Sequence, residues 1–414
     1  MSDKPQLPAY IVRDLQTFSV PPEVAAARDR GELPRTTIAM PALANPFPGG
    51  VIEAWLVTRH EDVRAVLADH RRFSNDIKNL RHNPGTPRTS PLDSAPERKA
   101  NLQRMDPPEH TAFRQMLMPA FTTNRTRQRE ANVSAVVADC LDAVRAQGPN
   151  VDLIEHFALP VPSLVICELL GVPYDDHIQF QQRARQQTDV TRSDEERLEI
   201  RRASHSYLKS LVERARERPG DDLLGTLVRD HGDKLDNEEL TSIGELILLA
   251  GHQSTAGMLG LCILTLLLHP DQAQWLRENP DRVESAVEEL LRYLTAISAG
   301  PARIATEDVE IRGTRISAGE LVLLSELAAN RDPAFVTNPD ELDLSRPPSS
   351  HVALGHGAHL CLGAALARLQ LRIALTALFE AFPTLELAVP ADQLRFHEDF
   401  IVFGVKELPV TWRA

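Results

Sequence analysis

The segment Leu354-Gly355-His356-Gly357-Ala358-His359-Leu360-Cys361-Leu362-Gly363 concentrates the groups most able to do chemistry. Gly355 and Gly357 free the backbone just before Cys361, and the residues that follow have the spacing of a long amphipathic helix. At a helix N-terminus, unpaired N–H groups and the positive end of the dipole stabilise a thiolate, the form that binds metal or acts as a nucleophile. Cys361 is therefore expected to ionise readily. Three uses stay open on the residues alone: a structural cysteine, a zinc or nucleophilic cysteine helped by His351, His356 and His359, and an axial thiolate ligand to haem. Zinc sites normally show ligand pairs at short spacing, and a phosphate loop needs a lysine or a third glycine; the segment has neither. Gly363 would let a flat macrocycle lie against the helix.

A second group of polar residues, Ala250-Gly251-His252-Gln253-Ser254-Thr255, interrupts an apolar run. Such groups are costly to bury unless they are paired or used, so this one reads as part of a site or as a satisfied core cluster.

These residues need elements to position them. Asp236 followed by Glu239 makes a capping-box start, and Pro270 is the next stop, so a helix from 237 to 268 would be roughly 47 Å long. Leu246 to Leu268 is apolar and long enough to span a membrane, but its polar middle and lack of flanking Lys/Arg favour a buried helix of a soluble protein. Further helices are expected at 61–69, 109–122, 124–147, 152–170, 175–190, 194–217, 221–231, 281–293 and 362–382. Strands are expected at 54–58, 302–305, 308–311, 314–316 and 321–324, with an irregular stretch from 329 to 350 and a small strand region ending at Trp412. The fold class is mainly α with minor β. From Ser74 to Glu109 six prolines break any regular pattern, and 74–105 reads as a mobile loop near the substrate entrance. The polar stretch 176–205 reads as a lid.

The chain has 414 residues, 43% of them apolar, so one domain, 1–414, with a large interior is expected. A net charge of −13 disfavours general binding to nucleic acid or anionic membranes. Four cysteines without paired spacing and no apolar N-terminal run point to a reducing, cytoplasmic setting.

Taken together, the motifs resemble those of the bacterial cytochrome P-450 haem-thiolate monooxygenases, of the actinobacterial natural-product tailoring type, along essentially the whole length. The family's Phe-Gly-x-Gly-x-His-x-Cys-x-Gly pattern is met from Gly355 to Gly363, with Leu354 in place of the phenylalanine. Its Glu-x-x-Arg pair is Glu289 and Arg292, joined by Arg346 in the irregular stretch. Asn330-Arg331-Asp332-Pro333, and Asp106-Pro107-Pro108-Glu109-His110 with Arg114, match as well. The resemblance implies the P-450 fold, with haem b between a long distal helix and the cysteine-loop helix, Cys361 as axial ligand, and Glu289, Arg292 and Arg346 as a buried ion network. It implies haem propionate contacts from His110, Arg114, Arg303 and His359, and close approach to the haem at Gly251.

The resemblance also exposes two departures. Gln253 stands where the family has an acid and Ser254 where it has a threonine, with Thr255 next. Glutamine cannot donate a proton as an acid does, whereas serine keeps a hydroxyl. Two reactions stay open: hydroxylation or epoxidation of a small molecule, the family default, and oxidative C–C or C–N coupling without oxygen insertion. Some actinobacterial coupling members lack the usual acid and threonine, and 299–412 is faintly similar to theirs. A non-catalytic haem-thiolate sensor or carrier is the alternative from another class. Pocket-wall candidates are Leu246, Leu249, Ala250, Ile297, Ala299, Phe400 and Val402. No flavin, nicotinamide or iron–sulfur fingerprint is present, so electrons are expected from a ferredoxin and its reductase, guided by a basic patch of Arg114, Arg125, Arg127, Arg368 and Arg372.

Overall fold

A computed structural model describes residues 13, 18–39, 51–81, 99–179, 186, 193–297, 300–397 and 402–413. The protein is mostly helical with small sheets. Helix α1 (Pro22–Arg30) opens on a proline, and α2 (His60–Ala68) follows the strand pair β1 (Arg35–Ala39) and β2 (Val51–Val57). After β3 (Phe73–Ser74) come α3 (Glu109–Leu117), α4 (Thr123–Gln128), α5 (Glu130–Gln147), β4 (Val151–Asp152), α6 (Pro160–Leu170), α7 (Asp194–Glu217) and α8 (Leu223–His231). The longest helix is α9 (Asn237–Leu268), followed by α10 (Pro270–Glu278) and α11 (Val283–Leu294). Strands β5 (Ala302–Ala305), β6 (Val309–Ile311), β7 (Thr314–Ile316) and β8 (Leu321–Leu324) precede α12 (Glu326–Asn330) and α13 (Ala364–Ala381). The short strands β9 (Glu386–Leu387) and β10 (Pro409–Thr411) come last.

The main sheet has the order β1-β2-β8-β5-β3. β2 and β8 run parallel, and β5 is antiparallel to β8 with Arg303 opposite Val322. Alternation along β8 decides what each face covers: Val322 and Leu324 pack with Val57, Val66 and Ile316, while Leu321 and Leu323 pack with Val24, Leu56 and Leu327. The antiparallel turn-back sets the start of β5 beside the end of β8, and so places Arg303 near the first residue of α12.

Helix α9 owes its start to a reciprocal capping box, in which the Glu239 amide donates to Asp236 Oδ1 (2.8 Å) and the Asp236 amide donates to Glu239 Oε2 (2.7 Å). It is the one helix among the described residues long and apolar enough to cross a membrane. Here it is sheathed instead by α6, α7, α11 and α13, with Leu259 and the run Leu261–Leu264 fully buried.

Several elements differ from the sequence expectation, mostly at prolines. Pro119 ends α3 in a 3-10 turn, Met118–Phe121, and Pro160 splits the expected 152–170 helix into a π-turn, Ile154–Ala158, and α6. Pro270 ends α9 but also begins α10, because a missing N–H costs nothing in a first turn. Helix α12 and strand β1 were not expected. Of the 74–105 loop, Ser74 belongs to β3, and Ile77–Asn79 and Leu102–Arg104 are 3-10 turns; 82–98 lie outside the described residues. Of the 176–205 lid, 194–205 belong to α7, while 180–185 and 187–192 lie outside the described residues.

The irregular stretch after α12 is held by α11. Arg292 is completely buried; its Nε and Nη2 donate to Glu289 at 2.7 and 2.8 Å, and its Nη1 donates to the carbonyls of Asn330 and Pro339 at 2.9 and 2.8 Å. Arg346 Nε donates to Glu289 Oε1 at 3.1 Å, and its Nη1 to the Thr337 carbonyl at 2.8 Å. Removing one partner strands a buried charge, so Arg292→Met should destabilise the protein by about 3–5 kcal/mol, read as a shifted urea midpoint or loss of soluble holoprotein. A loss below about 1 kcal/mol would contradict this account.

Candidate functional site

The cysteine loop is built by two left-handed glycines, Gly355 (φ 76°) and Gly357 (φ 71°). A side chain at Gly357 would strike the Leu67 carbonyl at 2.6 Å, so the loop can sit against the end of α2 only with glycine there. The Val352 amide donates to Asn330 Oδ1 (2.8 Å) and the Cys361 amide to the Leu354 carbonyl (2.8 Å), closing the turn. Cys361 precedes α13 by two loop residues, and the Gly363 N–H donates to its sulfur.

Of the four cysteines, Cys140, Cys167 and Cys262 are buried, and burial pushes the first two thiols up to about 12. Cys361 alone is exposed. It is also surrounded by enough protein that burial pushes its thiol upward, against the Gly363 amide, Arg114 and Arg368, which pull it down. The expectation of ready ionisation from the helix terminus alone is therefore corrected, since desolvation of the sulfur outweighs those donors. An exposed residue so closely surrounded by protein borders an open recess. Leu360 beside it is 43% exposed, and a Cβ at Gly363 would meet nothing within 4 Å.

The second polar group lies in the middle of α9. Leu246, Leu249, Ala250, Gln253 and Ser254 fall on one stripe at three- and four-residue spacing. Leu249 and Ala250 are exposed and the other three half-buried, in a helix that is buried continuously from Met258 to Leu266. Ser254 Oγ donates to the Ala250 carbonyl at 2.6 Å. Gly251 is elsewhere: a Cβ there would meet Ile166 of α6 at 2.5 Å, so this glycine serves helix packing and not approach to a cofactor. Thr255, one turn on from Gly251, shares that buried side and is 7% exposed. Ile297 and Val402 pair in an isolated antiparallel bridge, and Val402 Cγ1 would lie 2.8 Å from a Cβ at Gly257 of α9. Ala299 and Phe400 lie outside the described residues.

The four expected propionate contacts come together. The His110 and His359 rings are 4.0 Å apart, Arg114 Nη2 donates to the Leu360 carbonyl (2.7 Å), and Arg303 is 5% exposed with its side chain bonded to its own Ala302 carbonyl (2.9 Å). Burial pushes the His359 imidazole down to about 3, with His110, Arg303 and Arg114 adding to the effect, and burial lowers Arg303 to about 10. His110 Nδ1 is buried and has no hydrogen-bond partner among the described residues. Asp106 is the carboxylate near them that the sequence motif contains, and it accepts from Ser74 Oγ and the Asn75 amide. Mutually depressed cationic groups with an orphaned donor fit an anion, and they sit beside a recess bordered by Cys361: the residues suit haem with its two carboxylates. Asn75, whose Nδ2 lies 2.5 Å from His359 Nε2, and Glu326, buried near Arg303, were missed because neither lies in a motif.

The zinc alternative does not survive. His351 Nε2 faces Glu288 (3.2 Å), His356 faces Arg64, and His359 faces Asn75; no three metal-ligating groups converge among the described residues. The basic patch is corrected too: Arg368 Nε donates to Glu288 (2.6 Å) and Arg372 Nη2 to Glu130 (2.8 Å), leaving Arg125 and Arg127 as exposed cations of α4. A recess of about 680 Å³ opens at His70, Asp106, Thr111 and Gln115, and another of about 350 Å³ lies between α5 and α13. Neither is lined by the expected wall residues; the chemistry of Cys361 and the cationic group places the site, not recess size.

Although burial opposes ionisation of Glu288, its hydrogen bonds to His351 and Arg368 hold the carboxyl down to about 2, against an ordinary 4.5. That stabilisation is full above pH 4.5 and is lost as pH falls toward 2. Glu288→Gln should therefore cost about 1–3 kcal/mol in urea denaturation at neutral pH, with the difference shrinking as the pH is lowered. A pH-independent difference would count against the pairing.

The Cytochrome P450 family profile matches residues 189–412. Cytochrome P450 FAS1 of Rhodococcoides fascians is 43% identical over 359 residues, covering 87% of this chain and 90% of that protein. Vitamin D3 dihydroxylase of Streptomyces griseolus is 43% identical over 363 residues, covering 87% and 88%. The solved structure of P450 StaH from glycopeptide antibiotic biosynthesis superposes with a TM-score of 0.86 at 40% identity, covering 98% of this chain and all of that one. With the accessible cysteine, the glycine loop and the whole-length likeness, the chain belongs to the cytochrome P450 family of haem-thiolate monooxygenases, which bind haem b through a cysteine thiolate.

Proposed function

We propose that this chain, acting as one cytoplasmic domain over 1–414, uses dioxygen and two electrons from a ferredoxin and its reductase to hydroxylate or epoxidise a small secondary metabolite. The observation that carries the reading is the stripe Leu246, Leu249, Ala250, Gln253 and Ser254, left open on an otherwise largely buried α9; we read it as facing the Cys361 recess, an apolar wall with a single hydroxyl, Ser254. Cys361 would hold the haem iron; His110, Arg114, Arg303 and His359 would hold its carboxylates. Bound haem supplies oxygen activation, which a thiolate ligand favours by pushing electron density onto the iron.

The residues of α9 then have defined tasks. The Ser254 proton is committed to the Ala250 carbonyl, so its oxygen offers lone pairs to the recess and would hold a water as acceptor. That water, not a side-chain acid, would be the proton donor, with the half-buried Gln253 amide beside it. Leu246, Leu249, Ala250, Ile297 and Val402 would exclude bulk water and orient the substrate. Ser254→Ala should lower product formed per electron pair by about tenfold while NADH oxidation through the partner proteins continues. Equal coupling in the variant would remove Ser254 from proton delivery.

The glutamine at position 253 supports a second reading, oxidative coupling without oxygen insertion. Incubation under dioxygen-18 separates the two: label in the product supports insertion, and a product two hydrogens lighter without label supports coupling. For the electron donor, Arg125 and Arg127 are the exposed cations that would meet an acidic ferredoxin. Arg125→Glu with Arg127→Glu should slow first electron transfer by about tenfold at low salt and abolish its salt dependence. An unchanged rate would place the docking surface elsewhere.

A further inference from the structure

The N-terminal arm brings a costly group to the end of α11. Arg13 is 5% exposed, and burial together with the Arg331 charge lowers its guanidinium to about 9. Among the described residues it meets two backbone carbonyls and a ring and no carboxylate: Nη1 donates to Leu294 and Nη2 to Thr295, each at 2.5 Å, and the guanidinium carbon lies 4.7 Å from the Phe403 centroid. The carbonyl end of a helix and the face of a ring both carry partial negative charge. They offset a buried cation only when it is held accurately.

Two unusual backbones flank this contact. Phe18 is fully buried at φ 53°, a left-handed conformation that bulky residues rarely adopt, and its ring meets Phe396 and Phe403 edge-on at 6.3 Å. Thr295 is also left-handed (φ 42°) and fully buried; its Oγ1 donates to the Arg292 carbonyl (3.0 Å) and accepts from Asn330 Nδ2 (2.9 Å). Strain of this kind persists where the surroundings over-determine it. Here those surroundings join two distant segments. The Phe403 amide donates to the Ala296 carbonyl (2.8 Å), and the next pair outward is the Ile297–Val402 bridge that lies against α9.

We propose that Arg13 is a positioning residue for substrate: by gripping the Leu294 and Thr295 carbonyls and the Phe403 ring at once, with Phe18 wedged behind, it fixes the Ile297–Val402 wall over the Cys361 recess. The proposal rests on reading Ile297 and Val402 as pocket wall. Residues that touch no substrate thereby set the width of the site.

The test uses ferric holoenzyme and two probes that bind haem iron, imidazole and 4-phenylimidazole, read as shifts of the Soret band. The smaller probe needs only the iron, whereas the phenyl ring needs the wall. Arg13→Met should weaken 4-phenylimidazole by about tenfold and imidazole by less than about twofold, with Arg13→Lys intermediate. Ile297→Ala and Val402→Ala serve as the wall controls. If they weaken 4-phenylimidazole selectively and neither Arg13 variant does, the positioning role is overturned while the wall stands. If Arg13→Met weakens both probes equally, Arg13 is merely structural and the proposal falls. If the wall variants leave 4-phenylimidazole binding unchanged, the wall reading fails and takes the proposal with it.

Discussion

A carboxylate and a guanidinium, Glu289 and Arg292, sit at 2% and 0% side-chain exposure, and the site depends on them. Ionic groups so deep are favourable only when every donor and lone pair is used. Arg292 meets that demand with carbonyls from Asn330, Pro339 and Glu341, and Glu289 meets it with Arg346 and the Asp343 amide. An otherwise irregular chain is thus pinned at several points to one helix. The same Asn330 then holds the cysteine loop through Val352, so the position of Cys361 follows from the ion network by a short series of hydrogen bonds.

The opposite problem arises at the recess. Cys361, Arg114, Arg303, His110 and His359 are polar groups crowded together with few counter-charges, and burial disfavours the ionised form of each. The protein alone leaves these groups in mutual tension, and a cofactor carrying two carboxylates relieves it. Stability and cofactor binding are therefore linked: whatever binds the folded chain and neutralises that cluster stabilises it by mass action.

Much of this was legible in the residues and some was not, for definite reasons. The cysteine loop announces itself because glycine, histidine and cysteine at fixed offsets have few other uses. Three-residue spacing says nothing about burial, so Glu289 and Arg292 were legible as a buried network with Arg346 only through the family resemblance. Arg368 and Arg372 read as a basic stripe because their partners, Glu288 and Glu130, come from other helices. Helical phase separates Ser254 from Gly251 and Thr255, but choosing which stripe is covered and which left open required knowing where α6 lies. Arg13 gave no signal: a single arginine in a proline-rich arm is indistinguishable from a solvated one until its carbonyl partners, nearly three hundred residues away, are in place.

Helix α9 touches its neighbours through absent side chains. Gly251 admits Ile166, Gly257 admits Val402, and Gly260 admits Ile154, each at a distance that leaves no room for a methyl group. These three glycines are therefore the positions of α9 least free to vary: a side chain there would press Ile166, Val402 or Ile154 aside. A change at any of the three would have to be matched in α6, in the π-turn before it or in the segment at Val402, so the glycines tie the evolution of α9 to that of its neighbours.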